Sequence, residues 1–224
     1  MPTPAQGYYN SAGKRLPSVT TIIGRFKDAS ALLKWQFRMG FEQGTLFGKG
    51  KVYVDDPYAI GRDAASVGNA VHALVDNHVH GRPVSVPDDA DPRIHSGFEA
   101  YLAWERQTHL RIVATEMQLI SEVHQYGGTP DAIGSLDDKL CLLDWKTSNS
   151  VYTDHLVQIA AYRMLWNECN PGNQLTGGSH LLRFSKEEGD FTHHYFPDLK
   201  DAEEQFLLFR RAYSLDQKLR KRVG

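Results

Sequence analysis

The sequence predicts an α/β domain in which a mixed central β-sheet is flanked by helices, with an N-terminal helical extension. Two features of the pattern predict it. Apolar residues recur at helical spacing through roughly the first half of the chain, then shift at about residue 112 to extended runs rich in β-branched residues. After residue 147 a helical pattern returns, followed by two more strand-like segments and a last helix, and this interleaving is what a mixed sheet needs.

The elements follow in order. Tyr8-Tyr9, a Ser11-Ala12-Gly13 turn and an extended approach to Pro17 read as a small hairpin. Ser18 is placed to cap a helix running through Ile22, Ile23 and Phe26. A second helix is expected around 31–41, with Leu32, Leu33, Trp35 and Phe37 turned to the core. A third is expected over 60–80, carrying Ala64, Val67, Val71, Leu74 and Val75 and stopped by Gly81, and a fourth over 93–108, with Phe98, Tyr101, Leu102 and Trp104. Residues 112–120, 126–136 and 139–147 read as strands, the last two joined by Asp137-Asp138. A helix over 154–168 closes at Asn170-Pro171-Gly172. Strands near 180–184 and 191–196 flank a turn over 187–190, and Asp198 can cap a final helix with Phe206, Leu207, Phe209, Tyr213 and Leu215 on its apolar side. Trp104, Trp145 and Trp166 are expected in the core.

Composition narrows the function classes. The 224 residues are 41% hydrophobic and 23% charged, which excludes a disordered or collagen-like chain. Two cysteines, Cys141 and Cys169, cannot supply a disulfide framework, a four-thiolate zinc site or an iron–sulfur cluster, and suit a reducing compartment. No apolar run is long enough to span a membrane, and Met1 to Asn10 does not read as a secretory leader. The net charge of -2 conceals segregation: residues 1–54 hold eight basic side chains against two acidic, residues 55–138 hold five against fourteen, and Arg210 to Gly224 carries six against Asp216. An acidic middle between basic ends suits a cation-binding centre with polyanion contacts around it.

The chemistry concentrates at Lys139 to Thr147. An apolar strand ends in Asp144-Trp145-Lys146, and at a period of two Asp144 and Lys146 share one face while Trp145 takes the other. If Asp137-Asp138 is a two-residue turn, Asp131 and Asp144, each six residues from it, face one another across the hairpin. Carboxylates so opposed repel unless a proton or cation lies between them, and Mg²⁺ or Mn²⁺ is the natural occupant of an oxygen-rich site.

The ordered motifs Gly128-Thr-Pro-Asp131, Asp144-Trp-Lys146-Thr and Gln158-Ile-Ala-Ala-Tyr162 resemble the PD-(D/E)XK nuclease superfamily in its RecB-type branch. Gly68-Asn-Ala-Val-His72 resembles that branch's upstream histidine, and Glu116 an acidic residue that several members carry before the Gly-x-x-Asp motif. Leu16 to Ile23 is similar to the N-terminal segment of mitochondrial genome-maintenance exonucleases and related phage exonucleases. The resemblance implies a restriction-endonuclease-like core over 111–224, completed by residues 1–110 within one compact domain, where the hairpin and helices would frame a DNA channel.

It also implies roles. Asp131 and Asp144, with the Trp145 carbonyl, would hold the metal, and Glu116 and His72 would complete the coordination or bind a second ion. Lys146 would hold the attacking water or stabilise the developing phosphorane charge. Gln158, Tyr162 and Thr147 would position the DNA backbone or Lys146. Glu122 is a lesser substitute for Glu116. The pairs His78/His80 and His193/His194 are expected as surface clusters rather than zinc sites, and Phe26, Trp35 and Tyr58 are candidate base-stacking residues. The implied function is a metal-dependent DNA exonuclease acting on single-stranded or free ends in recombination, repair or phage genome processing. It would use Mg²⁺ or Mn²⁺ without an iron–sulfur cluster or nucleotide, since no phosphate-binding Gly-x-x-x-x-Gly-Lys loop occurs. A recombination or replication protein is a possible partner and no membrane is involved. The implied location is the cytoplasm of a bacterial or phage-infected cell, ahead of the mitochondrial matrix. A structure- or sequence-specific endonuclease and a catalytically silent DNA-binding module are the alternatives.

Overall fold

The computed structural model describes residues 7–27, 59–184 and 191–223. The helix expected over 31–41, the turn over 187–190, and Trp35 and Tyr58 lie outside the described residues. Tyr8–Tyr9 (β1) and Arg15–Leu16 (β2) form the expected antiparallel ribbon, with Tyr8 opposite Leu16. Ser18 then starts α1 (Val19–Phe26), its hydroxyl accepting the Thr21 amide at 3.0 Å and so satisfying one of the orphan donors of the first turn. α2 (Ala59–Val79) runs to Gly81, whose φ of 64° allows the chain to leave the helix. α3 (Pro92–Thr108) begins under Asp91, which accepts the Arg93 amide at 2.9 Å, and ends at left-handed His109.

The sheet is mixed, as expected. β3 (Arg111–Thr115), β6 (Ala132–Leu136), β7 (Lys139–Thr147), β8 (Ser179–Phe184) and β9 (Phe191–Phe196) lie in the order β3-β6-β7-β8-β9. All neighbours are antiparallel except β7 and β8, which run parallel because α4 (Thr153–Cys169) crosses between them. The β6–β7 register places Ala132 opposite Leu143 and Leu136 opposite Lys139. Asp137 and Asp138 both have positive φ, 48° and 60°, the backbone of a two-residue hairpin turn whose twist matches the strands.

Two of the expected strands are broken. Residues 112–120 do not form one strand: Glu116 turns left-handed at φ 46°, and the chain beyond it, β4 (Leu119–Ser121), leaves the sheet to pair with β5 (Tyr126–Gly128). Residues 126–136 divide likewise at Thr129-Pro130, where proline offers no amide to a ladder. β5 instead receives the hairpin, and the Gly127 amide donates to the Pro17 carbonyl at 3.0 Å.

Apolar residues of the sheet feed two cores. On one face Ile133, Leu142 and Leu181 pack with Ile22 and Ile23 of α1, Val157, Ala161 and Leu165 of α4, and Phe206 of α5 (Lys200–Val223). On the other, Ala132, Cys141, Leu143, Trp145 and Leu182 pack with Val71 and Val75 of α2 and with Phe98, Tyr101 and Trp104 of α3. The alternation along β7, Leu142 to one core and Cys141, Leu143 and Trp145 to the other, is the period of two anticipated for a strand covered on both faces. The last helix departs from expectation at Leu215, which is 49% exposed and so does not share the buried side occupied by Phe206. Among the described residues no helix is long and apolar enough to cross a membrane.

Candidate active site

Strand alternation carries Asp144 and Lys146 past the end of the β6–β7 ladder on the face that α4 covers, and α2 closes the same sheet end from the other side. The result is a cleft of about 570 Å³ whose lining includes His72, Asp76, Glu116, Asp131, Lys146 and Gln158. Trp145, Thr147, Asp154, His155 and Lys27 also face it. α2 can approach this closely because residue 68 is glycine: a Cβ there would lie 2.4 Å from Thr147 Cβ.

Asp131, just before β6, accepts the Trp145 amide at 2.7 Å, so its carboxylate is fixed by the backbone of the strand that carries Asp144 and Lys146. His72 Nε2 lies 3.9 Å from Asp131 Oδ2. Burial, the largest influence on His72, disfavours the imidazolium, but Asp131, Asp144 and Asp76 together outweigh it and raise the pKa. Asp144 has no exposed surface and sits beneath the cleft wall behind Lys146. Lys146 Nζ is 2.5 Å from Asp144 Oδ2, a buried ion pair, and Asp144 Oδ1 has no hydrogen-bond partner among the described residues. Burial pushes the Asp144 carboxyl up to about 6 against the opposing pull of Lys146. Lys146 is also raised: burial disfavours its charge, while Asp144 and Asp131 more than restore it, so the ammonium persists.

The other expected residues occupy distinct positions. Trp145 turns its indole into the core, 6.2 Å from the Tyr101 ring, leaving its backbone at the cleft. Gln158 faces the cleft and donates from Nε2 to the Tyr162 hydroxyl at 3.0 Å. Tyr162 itself is buried and packs beside Gly128, so its contact with the cleft runs through Gln158. Glu116 donates its amide to the Asp131 carbonyl at 3.1 Å, but its carboxylate groups with Asp76 and His80. Among the described residues these three form the acidic and histidine set whose ligand atoms all lie within 4.8 Å of one another; Asp131, Asp144 and His72 are spread more widely. Glu122 is engaged elsewhere, accepting the Ser11 amide at 2.6 Å. His78 pairs with Glu105 at 2.7 Å and His193 with His180 at 2.8 Å. Phe26 stacks on Phe209 at 5.2 Å.

Asp76 and His155 escaped sequence reasoning. Asp76 carried a signal, because His72, Asp76 and His80 follow one another at intervals of four along α2 and the turn that ends it, where the His80 amide still donates to the Asp76 carbonyl at 3.1 Å, and so share a face. His155 accepts the Tyr152 amide at 3.3 Å, and burial with Lys146 nearby drives its pKa down to about 4. Nothing in its local sequence marked it.

The donor set suits a hard divalent cation. His72, Asp76, Glu116, Asp131, Asp154 and His155 bring carboxylate and imidazole groups to one cleft, and Asp144 lies buried beneath it with only Oδ2 engaged, by Lys146.

No protein-family profile and no curated protein sequence matches the chain. Among solved structures, a protein from Eubacterium rectale provisionally designated an exonuclease is 12% identical, with 65% of this chain and 68% of that one covered at a TM-score of 0.43. The alkaline exonuclease of Laribacter hongkongensis is 15% identical, covering 70% of this chain and 92% of its own at 0.30, and its complex with dAMP covers 73% and 97% at 0.32. At these scores the likeness is partial.

Proposed function

We propose that the chain is a divalent-cation-dependent DNA exonuclease of the PD-(D/E)XK superfamily, of the RecB-type branch, acting on single-stranded ends. The observation that carries this reading is the β6–β7 hairpin, which delivers Asp131, Asp144 and Lys146 to one end of the sheet. His72, Gln158 and Glu116 reach the same cleft from three other elements.

Asp131 and Asp144, with the Trp145 carbonyl and His72, would hold a Mg²⁺ or Mn²⁺ ion; Glu116, grouped with Asp76 and His80, would serve a second ion. What such an ion supplies when bound is polarisation of the phosphodiester and a lowered pKa for water. The chain's own part begins with Lys146. Its persistent ammonium, aimed by Asp144, can hold water against the phosphorus or offset the negative charge that develops on the phosphoryl oxygens. Gln158 is held by its donation to Tyr162 and would accept from donors at the cleft through its amide oxygen, a positioning role. His155, neutral at physiological pH, adds no cation beside Lys146.

The test is digestion of linear and circular single-stranded DNA of identical sequence with Mg²⁺. Loss of the linear strand alone, abolished in Lys146→Met, is the expected result. Cutting of the circle would replace the exonuclease reading with an endonuclease, and undiminished cutting by Lys146→Met would remove the site assignment. Action in recombination, repair or phage genome processing is part of the same proposal, supported by the motif resemblance.

A further inference from the structure

A second concavity, of about 550 Å³, lies between the N-terminal hairpin and α5. Lys14, Arg15, Arg210, Lys218 and Lys221 line it together with Ser18, Thr21, Ser214 and Gln217, and among the described residues no carboxylate does. The helical contribution is ordered: Arg210, Ser214, Gln217 or Lys218, and Lys221 recur at intervals of three or four, one face of α5. At about 1.5 Å per residue the stripe from Arg210 to Lys221 is about 16 Å long.

Most of these cations are uncommitted. Arg210 donates to the Gln125 carbonyl at 3.0 Å and to Ser214, which fixes it structurally. Lys14, Arg15, Lys218 and Lys221 are exposed, and among the described residues none of them has a carboxylate partner. By contrast, Arg25 and Arg220 on the neighbouring surface both pair with Asp216, at 3.0 Å each. A surface that neutralises some of its cations and leaves a line of them open along a groove is arranged for an anion outside the protein.

The groove adjoins the catalytic cleft. Ser18 and Thr21 of the α1 entry face it, while Thr20 faces the cleft. Tyr8, in the groove wall, reaches Thr129 through its hydroxyl at 2.9 Å, two residues from Asp131. Resting on the nuclease reading of that cleft, we propose that this groove is a binding track for the phosphodiester backbone of single-stranded DNA, holding the strand remote from the scissile bond. Lysine and arginine neutralise phosphates without regard to sequence, Ser214, Gln217 and Thr21 donate hydrogen bonds to phosphate oxygens, and Tyr213 offers a ring edge to a base.

The test is fluorescence anisotropy with a 20-nucleotide oligothymidylate in chelator, where no cleavage occurs, over a series of salt concentrations. Neutralising Lys14, Lys218 and Lys221 to glutamine should flatten the plot of log affinity against log salt by about 2, since each phosphate contact on a single strand contributes about 0.7. Between 50 and 200 mM salt the variant should then lose about twentyfold less affinity than the wild type. A matched variant neutralising Arg106, Lys139 and Lys200, exposed outside the groove, should keep the wild-type slope. Equal slopes for the groove variant and the wild type, with the variant folded by circular dichroism, would overturn the track. The nuclease reading is tested apart, by Mg²⁺-dependent loss of linear single-stranded DNA in the wild type: its absence counts against the nuclease reading alone, since the anisotropy slopes are taken in chelator, where no cleavage is needed.

Discussion

Gly68→Ala should separate α2 from the end of β7 and disable the cleft without touching any group proposed for chemistry. The added Cβ would lie 2.4 Å from Thr147 Cβ, 2.8 Å from Cγ2 and 2.9 Å from Oγ1. Carbon atoms rest at about 3.5–4.0 Å, so the shortfall exceeds roughly 1 Å. Rotating the Thr147 side chain cannot relieve it, because the closest contact is Cβ to Cβ and the helix or strand backbone must move. Overpacking of this kind costs about 1–3 kcal/mol. His72 follows Gly68 by four residues on the same face, so a helix displaced outward carries Nε2 beyond its present 3.9 Å from Asp131. A misplacement of about 1 Å can cost a hundredfold in rate. Urea denaturation and cleavage of labelled single-stranded DNA read the two effects. A second substitution checks the steric cause in the urea midpoint alone, Thr147 being itself a proposed positioning residue: Thr147→Gly removes the blocking Cβ and should recover the stability lost in Gly68→Ala, each measured against its own Thr147 single variant, while Thr147→Ala retains it and should recover little. Wild-type stability and rate in Gly68→Ala, or equal rescue by both second substitutions, would refute the reasoning.

Other outcomes follow from the same geometry. Lys146→Met leaves the Asp144 carboxylate buried without a counter-charge and should cost about 3–5 kcal/mol in urea melts at pH 8. Burial already holds Asp144 above its ordinary 3.8 against the pull of Lys146, so its ionised form opposes folding; without Lys146 the carboxyl rises further, and the loss should shrink as pH falls from 8 and the carboxyl takes up a proton. His155 behaves with the opposite sign: its folded pKa of about 4 lies below the ordinary 6.5, so stability is complete above 6.5 and declines as pH falls toward 4, by at most about 3 kcal/mol. His155→Gln should remove that decline, and an unchanged pH profile in the variant would exclude His155 as its source. Replacing Asp137-Asp138 by Asn-Gly should raise stability by about 0.5–1 kcal/mol, since both positions have positive φ and asparagine and glycine adopt it at less cost. A lower urea midpoint would contradict that reading of the turn.

Most of the sheet was legible in the sequence because each strand of the β6–β7 hairpin has a buried face, and a register slip of one residue would invert it. Two aspartates at the turn then located Asp131 across from Asp144 by counting alone, and Leu142 paired with Ile133 shows the same register. What escaped is local backbone geometry. Ile112 to Ile120 has the composition of one strand, and only the left-handed conformation at Glu116 divides it and swings that carboxylate toward Asp76 and His80. The depth of Asp144 was equally hidden, since a carboxylate closing an apolar strand reads as an exit to solvent. Burial there depends on α4 packing across the sheet end, a contact between distant parts of the chain. The groove under α5 was visible as charge, a basic C-terminal stretch, but not as a cavity, because its other wall is the hairpin some two hundred residues away in sequence.

The measurement closest to the proposed chemistry is nucleotide release from 5′-labelled single-stranded DNA by the wild type, Asp131→Asn and Asp144→Asn during Mg²⁺ and Mn²⁺ titrations. Each protein is first shown to be folded by circular dichroism. The wild type should be inert in chelator, active once either ion is added, and at least a hundredfold faster than both variants at saturating metal. Release in chelator, or wild-type rates from a folded Asp144→Asn protein, would contradict a metal-dependent nuclease centred on this hairpin.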